Sequence, residues 1–128
     1  LVVAAGAAGL GLGLKVALIE KHLMGGDCLN VGCVPSKCLI RSSRVAAQMR
    51  DSDRFGITAP AEVEVDFAAV MARMRQIRAG ISHHDSATRF QALGVDVFLG
   101  SGQFRSDRQI QVDDTILTFK KAVIATGA

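Results

Sequence analysis

Apolar positions along this chain repeat with two different periods, and each period predicts one kind of secondary structure. The apolar run within Lys15–Glu20 is typical of a strand buried in a parallel sheet, and Val95–Leu99, which is apolar except for Asp96, predicts a second strand. An apolar residue at every third or fourth position from Phe67 to Ile77 predicts a helix, and Asp66 in front of it is a good N-cap. A second helix is predicted from Pro35 to Arg50. Helices between parallel strands indicate an α/β fold.

The last third of the chain predicts a change from helix to strand. Asp85–Leu93 has a helical pattern. Residues 103–120 alternate around turns at Ser106-Asp107 and Asp113-Asp114, which predicts a small antiparallel β excursion. Lys120–Ala128 then predicts a final strand.

The glycine- and alanine-rich start of the chain has two interpretations. In the first, Ala4–Gly9 is a phosphate-binding glycine turn whose first glycine is replaced by alanine. This leaves only Leu10–Leu14 for the crossover helix, which is too short to connect two parallel strands. In the second, Leu1 to about Gly11 is itself the helix, and the phosphate-binding turn lies upstream of Leu1. We favour the second interpretation.

Size and charge limit the classes of function. A length of 128 residues fits one domain, and 49% apolar residues are enough for a core. The net charge of +3 comes from scattered basic residues and the sequence has no Trp or Tyr, so nucleic-acid binding is not expected. No segment reaches the ~18 uninterrupted apolar residues of a membrane span. Three cysteines in such a chain fit a reducing cytoplasm, where a disulfide is transient and catalytic.

Two cysteines, Cys28 and Cys33, are the main candidates for chemistry. Glycines precede and separate them, and Pro35-Ser36-Lys37 follows as a helix start. A disulfide between cysteines this close in sequence would close a loop too small to be a useful structural staple. At the start of a helix, unpaired N–H groups and the helix dipole favour the thiolate of Cys33, and Lys37 adds a positive charge. These properties indicate a redox-active pair.

Two other interpretations of these cysteines remain open. Cys28 and Cys33 can be ordinary buried cysteines. They can also form a small metal-binding module with Cys38 and His22, although zinc sites prefer gaps of about two to four residues between cysteines. We assign no metal ligand, and Cys38 fits a small apolar core residue.

The segment Gly25–Lys37, with the sequence GGDCLNVGCVPSK, resembles the active-site signature of the flavin-dependent pyridine nucleotide–disulfide oxidoreductases. This family includes dihydrolipoamide dehydrogenase, glutathione reductase and mercuric reductase. The residues Val34 and Leu39–Arg41 are most similar to the branch of mercuric reductase and dihydrolipoamide dehydrogenase. Lys120–Ala128 resembles the family's second flavin-contact motif, a strand that runs into Ala-Thr-Gly.

The resemblance implies a role for each matching residue. Cys28 would be the interchange thiol that attacks the substrate, and Cys33 would lie against the flavin as the charge-transfer thiolate. Lys37 would lie near the flavin N5 and help to stabilise the reduced ring. The other residues implied to bind FAD are Glu20, Lys21, Gly25, Gly26, Ala125, Thr126 and Gly127.

The family's architecture implies that residues 1–128 are the N-terminal portion of an FAD-binding domain. The fold would be an incomplete Rossmann-like parallel sheet with helices, and the NAD(P)-binding and dimer-interface domains would be absent. In an intact homodimer, NAD(P)H would reduce FAD, and electrons would pass through the Cys28–Cys33 disulfide to a small-molecule disulfide or a metal-ion substrate. We expect these 128 residues alone to be inactive. The alternative is a truncated, non-catalytic remnant. His83 and His84 receive no catalytic role, because the family's His–Glu pair lies in its interface domain.

Overall fold

The computed structural model describes residues 1–127, so Ala128 at the end of the second motif lies outside the described residues. The helices are α1 (Val2–Gly9), α2 (Gly26–Asn30), α3 (Cys33–Arg50), α4 (Phe67–Ser82) and α5 (Ala87–Ala92). The strands are β1 (Val16–Glu20), β2 (Val95–Leu99), β3 (Gly102–Ser106), β4 (Gln109–Val112) and β5 (Thr115–Thr118). Short 3-10 turns at Ser52–Phe55 and His83–Asp85 follow α3 and α4. Among the described helices, none is long and apolar enough to span a membrane.

The chain divides into two compact units. Leu1–Gly26 and the stretch from Ser82 onward form the first unit, and Asp27–Ile81 forms the second. The second unit is therefore an insertion in the connection between β1 and β2.

A pair of parallel strands lies at the centre of the first unit. β1 and β2 run in register from Val16 opposite Val95 to Glu20 opposite Leu99. One step further, the Gly100 N–H donates to the Glu20 carbonyl at 2.9 Å. Both strands agree with the apolar runs that predicted them, and their parallel pairing confirms the α/β prediction.

The core of the first unit lies between this strand pair and two helices. Ala4 of α1, Phe90 of α5 and Val95 of β2 form one buried cluster, in which Phe90 is only 1% exposed. Val16 and Leu18 of β1 pack against this cluster. The alanines of α1 therefore serve as a close-packing face against the sheet.

The predicted antiparallel excursion forms a three-stranded sheet in the order β3-β4-β5. Gly102 pairs with Val112, and Val112 pairs with Thr115 across the second turn. In that turn Asp113 has a φ of 49°, a left-handed conformation that Asp tolerates better than most residues. The Asp113-Asp114 turn is confirmed.

Two predicted helices are confirmed at their N-termini. α1 occupies most of Leu1 to Gly11, in agreement with the favoured interpretation of the start of the chain. α4 begins after Asp66, whose Oδ1 accepts a hydrogen bond from the Ala69 N–H at 2.9 Å. The side-chain cap satisfies an amide that has no partner inside the helix.

Two other helices begin at a different residue from the one predicted. α3 begins at Cys33 and not at Pro35, because the amides of a helix's first turn need no intrahelical acceptor and proline therefore fits at the third position as well. α5 begins at Ala87 and not at Asp85, since Ser86 is its cap and accepts from the Arg89 N–H at 3.2 Å.

Residues 120–127 do not form the predicted final strand; they are neither helix nor strand. Val123 and Ile124 are 67% and 73% exposed. A strand is defined by hydrogen bonds to a neighbour, and no strand of the described chain pairs with this segment. The apolar run indicated an extended segment, but it does not show whether a neighbouring strand is present to pair with it.

Candidate functional site

Two consecutive glycines precede the candidate site. Gly25 has a φ of 100° and Gly26 a φ of 64°, and side chains disfavour both conformations. α2 begins at Gly26 and carries Cys28. The sequence did not predict α2, because a five-residue helix is too short to show a helical period.

Cys28 in α2 and Cys33 at the first position of α3 are joined by a disulfide bond. Their Cα atoms are 4.6 Å apart, within the range of native disulfides. Both residues are exposed, so a reductant in solvent has access to the bond. The interpretation of this pair as ordinary buried cysteines is wrong.

A single carbonyl closes the turn between the two cysteines. The Asp27 carbonyl oxygen accepts from the Val31 N–H at 2.9 Å and from the Gly32 N–H at 2.6 Å. A Cβ atom at Gly32 would lie 3.0 Å from that same oxygen and 3.4 Å from the Cys28 Cα. Only glycine fits this position without displacing the backbone that holds Cys28. The sequence showed a glycine between the cysteines but not the close contact that requires it.

The N-terminus of α3 provides the electrostatic setting of Cys33. The Ser36 N–H donates to the Gly32 carbonyl at 3.1 Å, and the Ser36 hydroxyl donates to the Cys33 carbonyl at 3.2 Å. Cys33 thus lies at the positive end of an 18-residue helix, where a thiolate is favoured after reduction. Lys37, one turn into α3, is exposed.

A side chain of α4 also contacts the segment between the cysteines. Nη1 of Arg78 donates to the backbone carbonyl of Asn30, the last residue of α2, at 3.3 Å. Arg78 is half-buried and follows the buried Met74 by one helical turn. The role of Arg78 was not predicted from the sequence, although an arginine on the apolar stripe of α4 was a visible signal.

Glu20 lies where the sequence predicted an acidic residue, at the carboxyl end of β1. Its Oε1 accepts from the His22 N–H at 2.8 Å, and its side chain is half-buried. Lys21 next to it is exposed. The carboxyl ends of parallel strands are where open α/β sheets bind ligands, so the position of Glu20 suits its predicted role.

The predicted site residues fall into two groups. Cys28, Cys33 and Lys37 belong to the unit Asp27–Ile81. The predicted FAD-binding residues outside this unit belong to the first unit: Glu20, Lys21, Gly25, Gly26, Ala125, Thr126 and Gly127. Gly127 has a φ of 83°, a conformation that glycine adopts readily.

The metal-module interpretation finds no corresponding geometry. Cys38 is 7% exposed inside α3, and the sulfurs of Cys28 and Cys33 are bonded to each other. Within residues 1–127, no three His, Cys, Asp or Glu side chains converge as a metal site requires.

His83 and His84 lie in the 3-10 turn between α4 and α5 and are both exposed. Their rings are 3.8 Å apart, and the His84 carbonyl accepts from Arg89 Nη1 at 2.6 Å.

Comparison with known proteins gives a consistent set of similarities. The family profile described as pyridine nucleotide-disulphide oxidoreductase matches residues 1–128. The chain is 35% identical over 120 residues to a dihydrolipoyl dehydrogenase of Acholeplasma laidlawii, covering 91% of this chain and 34% of that protein. It is 30% identical over 116 residues to a mercuric reductase of Lysinibacillus sphaericus, covering 91% of this chain and 21% of that protein. The chain therefore spans about a third or less of the length of these relatives.

Part of a solved structure has the same fold as this chain. The Cu(II) complex of the HOCl-induced flavoprotein disulfide reductase RclA from Escherichia coli superposes with a TM-score of 0.71 at 19% identity. The superposition covers 97% of this chain and 26% of that one.

Proposed function

This chain belongs to the pyridine nucleotide-disulphide oxidoreductase family, and from this premise we propose that it is the N-terminal portion of the FAD-binding domain of a flavoprotein disulfide reductase. The Cys28–Cys33 disulfide is its redox centre. One observation carries the proposal: a solvent-accessible disulfide between close cysteines, with one of them at the first position of a long helix.

The residues of the first unit fit FAD as its cofactor. The half-buried Glu20 carboxylate at the end of β1 is an acceptor suited to ribose hydroxyls. Gly25 and Gly127, with φ values of 100° and 83°, leave the backbone without side chains where a ring system has to approach it. When bound, the flavin supplies two-electron transfer between NAD(P)H and a disulfide. We assign Lys21, Gly26, Ala125, Thr126 and Lys37 to the same cofactor.

The two cysteines divide the chemistry between them. Reduction breaks the S–S bond, and the pair takes up two electrons and two protons. The Cys28 thiolate then attacks one sulfur of a substrate disulfide, forms a mixed disulfide and releases the first thiol. Cys33, favoured as a thiolate by the start of α3, attacks the Cys28 sulfur, releases the second thiol and restores the original bond.

The names of the relatives support the substrate class. Dihydrolipoyl dehydrogenases and mercuric reductases are both among the relatives that match. We propose a small-molecule disulfide or dithiol as the substrate, or a thiophilic metal ion such as Hg²⁺, which a pair of thiolates also binds. The intact enzyme acts as a homodimer in this proposal.

The first test is a count of reactive thiols in the 128-residue chain, equilibrated with glutathione and then alkylated. We expect two extra alkylated cysteines after equilibration in excess glutathione, from Cys28 and Cys33. Cys28→Ser and Cys33→Ser each lose this response, whereas the control Cys38→Ala keeps it. A disulfide that resists excess glutathione in the folded chain would contradict the redox role.

The second test concerns the cofactor and turnover. Flavin absorbance retained by the purified chain after mixing with FAD would support cofactor binding by these residues, whereas exchange-competent thiols without flavin binding would favour a non-catalytic remnant. We expect no NAD(P)H-dependent turnover from the 128 residues alone. Measurable reduction of lipoamide, glutathione disulfide or Hg²⁺ by the pure chain would contradict that expectation.

A further inference from the structure

The segment that joins the two redox cysteines is linked to a helix far away in sequence. Arg78 of α4 and Asn30 of α2 are 48 residues apart, and the guanidinium donates to the Asn30 carbonyl at 3.3 Å. The hydrogen bonds of the Asp27 carbonyl close the turn locally. The Arg78 contact ties the turn to a separate element of the same unit.

This contact forms on the buried face of α4. Met74 and Arg78 are four residues apart and so lie on one face of the helix; Met74 is 7% exposed and Arg78 is half-buried. Leu29, the neighbour of Asn30, is 3% exposed. The hydrogen bond therefore lies beside packed side chains, where water competes with it less than it does at an open surface.

Arginine suits this position for two reasons. Asn30 ends α2, and a basic side chain can donate to the last carbonyls of a helix. A guanidinium supplies several N–H donors in a fixed plane and stays charged at any physiological pH.

We propose that Arg78 is a positioning residue for the Cys28–Cys33 pair, which it holds in place through the Asn30 carbonyl. The inference rests on the redox role proposed above. Because the disulfide orders the segment between the cysteines, the hydrogen bond to the Asn30 carbonyl forms more completely in the oxidised chain than in the reduced one. Loss of the bond therefore weakens the disulfide relative to the dithiol.

The experiment measures the glutathione equilibrium of the pair in the 128-residue chain. In this reaction two glutathione thiols become one glutathione disulfide, and the Cys28–Cys33 bond becomes two thiols. Arg78→Met removes the donor while keeping an unbranched side chain, Arg78→Lys keeps the charge and a donor, and Arg75→Met removes an exposed arginine from the same helix.

For Arg78→Met we expect the equilibrium constant for disulfide formation to fall about fivefold, the size of one net hydrogen bond. Arg78→Lys restores part of this loss, and Arg75→Met keeps the value of the unsubstituted chain. Far-UV circular dichroism verifies that each variant is folded. If Arg78→Met does not fold, Arg78→Gln, which is too short to reach the same carbonyl, replaces it with the same expected loss.

Two negative outcomes are distinguishable. If the pair in the unsubstituted chain does not exchange with glutathione, the redox role is refuted, and this inference with it. If all variants exchange with equal constants, or if Arg75→Met shows the same loss as Arg78→Met, only the positioning role of Arg78 is refuted.

Discussion

Replacing Gly32 with alanine tests whether the turn that joins Cys28 and Cys33, here called the redox turn, has room for a side chain. The added Cβ would lie 3.0 Å from the Asp27 carbonyl oxygen, 3.4 Å from the Cys28 Cα and 3.5 Å from the Asp27 carbonyl carbon. All three are backbone atoms, so no side chain can rotate away to make room. The methyl group would push on the oxygen that accepts from Val31 and from residue 32 itself.

The magnitude follows from the crowding. Carbon atoms pack best at about 3.5–4.0 Å, so the Asp27 peptide has to move by a few tenths of an ångström. Forcing a methyl group into a packed site costs about 1–3 kcal/mol. The oxidised turn holds the Cα atoms of Cys28 and Cys33 at 4.6 Å, whereas the reduced turn can relax, so most of the cost falls on the disulfide form. We expect the equilibrium constant for disulfide formation to fall about tenfold, which equals ~30 mV for two electrons.

The assay is the alkylation of free thiols across a series of glutathione buffers. Gly80→Ala is the matched control, because it adds a Cβ in α4 of the same unit, where no atom lies within 4 Å. That change removes a flexible residue from a helix and stabilises the fold by about 0.5–1 kcal/mol, with no effect on the cysteine pair. If Gly32→Ala and Gly80→Ala share the constant of the unsubstituted chain, the argument from the close Asp27 contact is refuted.

Three further changes test the stability of the fold by urea unfolding. Phe90→Ala removes a core ring that is 1% exposed and should lower the free energy of unfolding by about 3–5 kcal/mol. Phe104→Ala is the control, because Phe104 is 52% exposed and its loss should lower that free energy far less. Equal losses for the two variants would contradict the assigned core. Asp66→Ala removes the cap of α4 and should lower the free energy of unfolding by about 1 kcal/mol, while Asp66→Asn should keep most of that stability. An Asp66→Ala variant as stable as the unsubstituted chain would show that the cap contributes nothing. Gly26→Ala places a side chain at a φ of 64° and should lower the free energy of unfolding by about 1–2 kcal/mol. Gly26→Asn should lower it less. A Gly26→Ala variant that is more stable than the unsubstituted chain would contradict the left-handed conformation.

The sequence predicted the elements whose signal is long or locally complete. β1 is an apolar run that ends in Glu20, β2 is apolar except for Asp96, and α4 combines a regular apolar stripe with its own Asp66 cap. α2 was missed because a helix of this length has no detectable period. Residues 120–127 were predicted as a strand, because an apolar run does not tell whether a neighbouring strand is there to pair with it.

The sequence predicted the chemistry of the candidate site, a redox-active cysteine pair, but only part of the structure that holds this pair in place. The spacing of Cys28 and Cys33 and the helix start that follows are visible in the sequence, and they predicted these residues as the redox pair. The roles of Gly32 and Arg78 depend on contacts in space: a carbonyl at 3.0 Å from an absent Cβ, and a hydrogen bond across 48 residues. The sequence shows a glycine between the cysteines and an arginine on the apolar stripe of α4, but it does not show what either residue contacts.

The pairing of β1 with β2 has a consequence for the order in which the chain folds. Their connection runs from Lys21 to Gly94 and contains the whole of the second unit. A parallel connection needs only about a dozen residues, so this one is between two and three doublings longer, at about 0.6 kcal/mol of loop-closure entropy per doubling. The cost to stability is modest, but contacts between distant residues form slowly. We expect pulse-labelled hydrogen exchange to show protection in α3 and α4 before β1 and β2. An oxidant present at that stage would then form the disulfide between the two cysteines before the sheet of the first unit has formed.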